Sequence, residues 1–248
     1  MSKAPSRLLV CALVLMAPAL LRSEPAVIGL ARAYLGPEST LEGLKSIHFV
    51  GTLDRTGAAP GVAATHTDLD MVFEKPLRQH TVMRAEKATM TTVLDGYNGW
   101  DWLQDNSNAA KHRLIWLQLP DLRTLRANTW ENLYYYKTPE GGSVEDKGPV
   151  AVDGIDCERV DFDHGSGVVY QRFFDRDTGR LVLTVLGAES FKESGEIRVE
   201  GIRFPRTIIS TVKTPKGVIT ETATFTKVAL DEPVAESLFT LPSAVPAK

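Results

Sequence analysis

The chain has 248 residues, of which 43% are hydrophobic, 24% charged and 8% aromatic, and its formal net charge is -3. This is globular composition with enough length for one sizeable core, and all-β folds of this size often form one domain. A mildly acidic chain with no basic stripe lacks the electrostatic footprint of a nucleic-acid binder, so no nucleic-acid partner is expected.

Lys3 and Arg7 precede the apolar run Leu8 to Ala17, and the small or kinking residues Pro18, Ala19, Pro25 and Ala26 follow it. This is the anatomy of an export signal, and the run is shorter than the roughly 18 to 20 residues a spanning helix needs. Residues 1–23 are expected to be removed, which leaves 24–248 as one exported domain. Cys11 invites a lipid-anchor reading, but bulky Val10 precedes it and the apolar run continues past it. Without the leader, Cys157 has no partner, so stability has to come from core burial rather than a disulfide.

Val27, Leu30, Ala31 and Tyr34 fall at i, i+3, i+4 and i+7, one face of a short helix that Gly36-Pro37 stops. Ser39 followed by Glu42 has capping-box spacing for a further turn or two through Leu44. From Ser46 the period changes to two. Leu69, Met71 and Phe73 share a face opposite Asp68, Asp70 and Val72. Val168, Tyr170, Arg172 and Phe174 alternate with Val169, Gln171, Phe173 and Asp175, and a threonine stripe at 220, 222, 224 and 226 backs Ile219, Ala223 and Phe225. Such runs, separated by Asp95-Gly96, Asp153-Gly154, Asp177-Thr178-Gly179, Ser194-Gly195 and Pro215-Lys216-Gly217, predict about ten to eleven strands.

Between Leu119 and Tyr136 the alternation stops. Leu122, Leu125, Thr129 and Leu133 take helical spacing, with Pro120-Asp121 at the favoured start. A helix inserted into an antiparallel meander must bury its apolar face, and lying across the sheet as a lid achieves this. The tail from Pro242 to Lys248 is expected to fray.

Catalytic signatures are missing from the sequence. His48, His66, His80, His112 and His164 have no metal-ligand spacing, and there is no nucleophile elbow, P-loop or dinucleotide fingerprint. Asp175 to Gly179 looks like half of a calcium loop, but flanking strands favour a hairpin turn. Cys157 lies in a strand beside Asp156 and Glu158, whose charges raise a thiol pKa and make it unreactive. No metal or cofactor is expected. Trp100 and Trp102 share a strand face, Trp116 and Trp130 lie near or in the inserted helix, and Tyr134-Tyr135-Tyr136 closes it. These aromatics either fill a core or wall a large apolar cleft.

In their order, four segments carry a resemblance. They are Ala31 to Val50, Val72-Phe73-Glu74-Lys75-Pro76-Leu77-Arg78, Asp95-Gly96-Tyr97-Asn98-Gly99-Trp100, and the C-terminal series Phe174 to Val182, Gly201 to Pro205 and Val228 to Pro242. Together they make the chain resemble the outer-membrane lipoprotein-sorting, LolA-like family of periplasmic carriers. The resemblance implies a mainly β fold: one large curved antiparallel sheet, a half-open barrel, covered by short helices. It implies a non-enzymatic, monomeric periplasmic carrier that shields acyl chains of lipids or lipoproteins between barrel and lid. Such a carrier passes them from an inner-membrane donor to an outer-membrane acceptor. On this basis Leu69, Met71, Phe73, Trp100 and Trp102 are the candidate cavity wall, and Leu122, Leu125 and Leu133 the lid face. Arg78 matches a rim position that would latch backbone carbonyls or acidic groups of the lid; the competing reading is an ordinary strand arginine. A lipid-sensing regulatory module acting through a protein partner is the alternative function, and a hydrolase using gathered carboxylates a distant third.

Overall fold

A computed structural model describes residues 24–57, 64–215 and 217–242. The leader expected at residues 1–23 lies outside the described residues, as does the tail beyond Pro242. Two short helices, α1 (Ala26–Leu35) and α2 (Glu38–Gly43), open the fold. Six strands follow: β1 (Ser46–Gly57), β2 (Thr65–Glu74), β3 (Arg78–Arg84), β4 (Ala88–Asp95), β5 (Asn98–Asp105) and β6 (Asn108–Trp116). Helix α3 (Leu119–Tyr134) intervenes before β7 (Ser143–Val152), β8 (Ile155–Asp163), β9 (Val169–Asp175), β10 (Leu181–Leu186) and β11 (Glu189–Ser194). The chain closes with β12 (Ile197–Val199), β13 (Ile202–Phe204), β14 (Thr207–Thr214), β15 (Gly217–Leu230) and a 3-10 turn, Glu236–Phe239.

Thirteen of these strands form one antiparallel sheet in the order β6-β5-β4-β3-β2-β1-β15-β14-β11-β10-β9-β8-β7, while β12 and β13 make a separate ribbon. The order has a simple logic. Two meanders are joined at the centre by the pairing of β1 with β15, and the outer edges β6 and β7 never meet. The result is a curved half-barrel that is not closed. Helix α3 is the connection between those two edge strands, so chain connectivity alone carries it across the open side.

The strand count exceeds the expected ten or eleven because three-residue strands such as β12 and β13 are too short to show alternation. Asp153 and Gly154 both adopt positive φ, as a two-residue hairpin loop requires. Side-chain alternation holds in β9, where Tyr170, Arg172 and Phe174 are buried and their neighbours are not. On β15, Ala223 and Phe225 face inward, which turns the threonine stripe outward. The main core gathers Ile28, Leu41, Ile47, Leu133, Phe162 and Phe174, all but fully buried.

Two helical expectations need correction. The buried face of α1 is Val27, Ile28, Ala31 and Leu35, whereas Leu30 is 45% exposed. Ser39 is not a cap: Pro37 holds the N-cap position of α2 without a side-chain hydrogen bond, so Ser39 lies within the helix. The reason is that Pro37, with its fixed φ, already sets the chain's entry into the helix two residues earlier.

The turn Asp175 to Gly179 is a hairpin connection, and it does more than reverse the chain. Asp175 Oδ1 accepts the backbone N–H groups of Asp177 and Thr178 at 3.0 Å each, and Gly179 has φ +73°. A Cβ there would lie 2.3 Å from the carbonyl carbon of Leu30, so the turn is pressed directly on the backbone of α1. Gly179→Ala is expected to cost about 2 kcal/mol or more, from the left-handed backbone and the overlap together. Urea unfolding checks this; an unchanged midpoint would show that the turn does not seat the helix.

Candidate functional site

Between the concave face of the sheet and α3 lies a cavity of about 810 Å³. That is within the range of sites that enclose small-molecule ligands. Its apolar wall comes from the centre of the sheet: Phe49 on β1, Leu69, Met71 and Phe73 on β2, Met83 on β3 and Phe225 on β15. Phe49 is the hub, with ring centroids 6.1 Å from Phe73, 5.7 Å from Phe204 and 4.9 Å from Phe225. These side chains converge because β1 pairs Phe49 with Met71 on one side and Val228 on the other, so the same inward parity runs across three strands.

The lid face is different in character. Asp121, Thr124, Leu125, Asn128, Glu131 and Asn132 point from α3 into the cavity, at the spacing of one helical stripe. Of the three leucines expected there, Leu125 lines the cavity. Leu122 sits against the β5 backbone, where a Cβ on Gly99 would come within 2.9 Å of its Cδ1, and Leu133 is wholly buried in the main core. The helix therefore uses its leucines mostly to dock and offers the void a polar surface.

Trp100 and Trp102 are on the other side of the sheet. Asp101 lines the cavity opposite Thr92, and strand alternation then directs both tryptophans outward. Trp100 packs with Val93 and Phe239 in a separate outer cluster, and Trp102 stacks on His112 at 4.3 Å. Neither touches the void.

Arg78 engages acidic groups, but they are not those of α3. It bonds Glu74 at 3.1 Å, Asp95 at 3.0 Å and Glu236 through two contacts of 3.0 and 2.6 Å, and its guanidinium lies 4.1 Å from the Phe239 ring centre. The residue clamps the C-terminal 3-10 turn over the outer cluster. Helix α3 is fastened by other groups. The Thr129 hydroxyl, fully buried, lies 2.9 Å from Gln79 Oε1, and Gln79 donates in turn to Thr81. Arg126 donates to the Gly96 carbonyl and stacks on Tyr97, and Tyr134 donates to the Pro76 carbonyl at 3.0 Å. Such long-range ties leave no local signal in a sequence, apart from a threonine on the face of a helix that is otherwise docked by leucines.

The remaining titratable residues are dispersed. Among the described residues no group of three or more His, Cys, Asp or Glu side chains could hold a metal ion. Cys157 is fully buried, and burial, with Asp175 adding to it, pushes its thiol pKa up. No helix among the described residues is long and apolar enough to cross a membrane.

Two outcomes follow from the fastenings. Thr129→Val strands the Gln79 oxygen in the interior and is expected to lower stability by about 1 to 3 kcal/mol, read by urea unfolding. Arg78→Met should raise amide exchange across 236–239 several-fold while sparing the sheet. The Glu236 carboxyl is held below its ordinary range by Arg78. Its contribution is therefore present above the ordinary carboxylate range and disappears as pH falls through the lowered value. In acid the wild-type turn should consequently exchange like the variant, and a difference that persists there would contradict the clamp.

No protein-family model and no curated protein matches this sequence. Solved structures do match in shape. A DUF1329 family protein from Desulfovibrio piger aligns over 87% of this chain and 96% of its own, with TM-score 0.58 and 11% identity. A LolA superfamily protein from Nitrosomonas europaea aligns over 85% of this chain and 97% of its own, with TM-score 0.58 and 12% identity. A domain described by its relation to outer membrane lipoprotein-sorting proteins, from Vibrio parahaemolyticus, aligns over 86% and 95%, with TM-score 0.55 and 10% identity. At these identities the likeness concerns the fold. The half-barrel of this chain is a LolA-like fold.

Proposed function

We propose that this protein is an exported, non-enzymatic carrier that encloses the acyl chain of a lipid or lipoprotein between the half-barrel and α3 for passage through the periplasm. The observation that supports this reading is the unfilled space of about 810 Å³ against an aromatic and aliphatic wall. Native interiors are close-packed, and voids of this size are unusual where side chains alone must stabilise the fold. Each methylene withdrawn from water contributes about 0.8 kcal/mol, so a chain with some twelve buried methylenes gains on the order of 10 kcal/mol. Transfer to a donor or acceptor in the envelope membranes then requires α3 to move, because the helix covers the open side.

Export through a leader at residues 1–23 belongs to the same reading, and the mature N-terminus recovered from an exporting host tests that part. The carrier reading is tested by native mass spectrometry of protein from that host, together with analysis of its lipid extract. Ala223 borders the void and is only partly buried. Ala223→Trp should narrow the void beside Phe225 without unfolding the sheet and should lower the amount of bound lipid. Leu125→Asp should weaken retention from the lid side. A wild-type protein that emerges empty, and takes up no added fatty acid, would end the reading.

A further inference from the structure

The cavity is not uniformly apolar, and its polar part is built from buried charges. Arg172 on β9 is 7% exposed and lines the void from the side opposite the aromatic wall. Its guanidinium carbon lies 4.7 Å from the Tyr136 ring centre, 5.4 Å from that of Phe162 and 5.8 Å from that of Tyr170. Nη2 stands 2.8 Å from Glu131 Oε2 on α3, an ion pair whose alignment does not make a hydrogen bond. Nε and Nη1 have no hydrogen-bond partner.

The neighbours are in a similar condition. The Tyr135 hydroxyl and Arg203 Nε lack hydrogen-bond partners, and both residues line the same cavity. Arg203 does have carboxylates nearby, Glu196 at 3.2 Å and Glu193 at 3.5 Å. Glu193 also faces the void, and burial raises its carboxyl pKa against the pull of the nearby Arg203 and Arg172 charges. Buried donors are ordinarily satisfied, and an arginine with open N–H groups is among the most expensive to leave so. Glu131 is shared, since His164 Nε2 lies 2.7 Å from its other oxygen. Arg172 Nε and Nη1, the Tyr135 hydroxyl and Arg203 Nε thus lie at this polar wall without a hydrogen-bond acceptor, although the carboxylates of Glu131, Glu189 and Glu193 share the lining.

We propose that the cavity takes an acyl amphiphile with its single oxyanion head group, a carboxylate or a phosphate, turned inward onto Arg172. This rests on the carrier reading above and specifies the ligand it carries. A head-inward pose places the chain along the Phe49 wall and brings an acceptor to the donors that lack one. Because Nε and Nη1 are covered, the side chain has to rotate toward the void it borders as the head group arrives. Arginine suits this role, since its fork of donors matches either oxyanion. A carrier that merely stored an acyl chain would need no charge at this depth.

The test uses the full mature chain and displacement of the neutral reporter N-phenyl-1-naphthylamine by four probes: hexadecanoate, hexadecyl phosphate, methyl hexadecanoate and hexadecanol. Hexadecanoate, hexadecyl phosphate or both should bind at least about ten-fold tighter than the two neutral probes. The tighter of the two anions identifies a fatty acid or a phosphate-headed lipid as the source. Arg172→Met should erase the preference while the methyl ester binds as before, and Arg172→Lys should keep part of it. Equal binding of acid and ester by the wild-type protein would overturn the head-inward pose and leave the carrier standing, and this comparison holds even if the methionine variant fails to fold. A preference that survives Arg172→Met would overturn the role of Arg172. Binding of none of the four probes would overturn both this inference and the carrier.

Discussion

The cover of this half-barrel depends on one buried guanidinium, that of Arg32 in α1. It bonds Glu38 through two contacts of 3.0 and 2.6 Å and Glu42 at 2.9 Å, and it donates to the carbonyls of Tyr134 and Tyr135 at 3.3 and 2.6 Å. The carboxylates come from α2 and the carbonyls from the end of α3, so a single side chain joins all three helices. The last carbonyls of a helix have no partner within it, and a cation is the favoured group to meet them. Burial of a charge is tolerable only where bonds surround it, as they do here. Held at this end by Arg32, and from its middle by Thr129 and Arg126, α3 lies as a beam over the sheet instead of sinking into it. The void beneath is a consequence of those supports.

Much of the sheet could be read from residue order because its physics is local. A period of two, broken by Asp-Gly and similar turns, reports strands wherever one face is buried, and β2, β9 and β15 show this clearly. The helix inserted before Tyr136 is visible for the same reason, since its leucines change period. The pairing of β1 with β15, which brings the first and last strands of the chain together at the centre of the sheet, has no local signature. It follows only once the meanders curve and the edges β6 and β7 are left apart.

Where the reading failed, the missing information was which face is which. Trp100 and Trp102 do share a face, as alternation requires, but the choice between concave and convex is made by the register Thr92 with Asp101. Size and hydrophobicity favoured the wrong side, because the C-terminal turn supplies Phe239 as an outer partner from more than a hundred residues away. The same turn claims Arg78, which therefore fastens the convex face rather than the lid. On α1 the apolar stripe is shifted because Arg32, polar by type, belongs to the buried side. Each error came from a contact distant in sequence.

Two of the three buried arginines among the described residues, Arg32 and Arg172, contrast a charge spent on the fold with one that the fold leaves under-used. Burial alone does not separate them, since both are 7% exposed. Arg32 directs its donors to acceptors that the chain itself supplies, and those bonds fix the helices. Arg172 has one ion pair, aromatic rings about it, and two nitrogens without acceptors. Replacing a buried ion pair by apolar residues of similar volume is often neutral or stabilising, so stability does not explain why β9 keeps an arginine between Tyr170 and Phe174. Positions where a buried polar group breaks the local pattern without repaying it in the fold are where function is to be sought. On that criterion the polar wall formed by β9, β11 and α3, rather than the aromatic wall, is where the selectivity of the proposed carrier is to be sought.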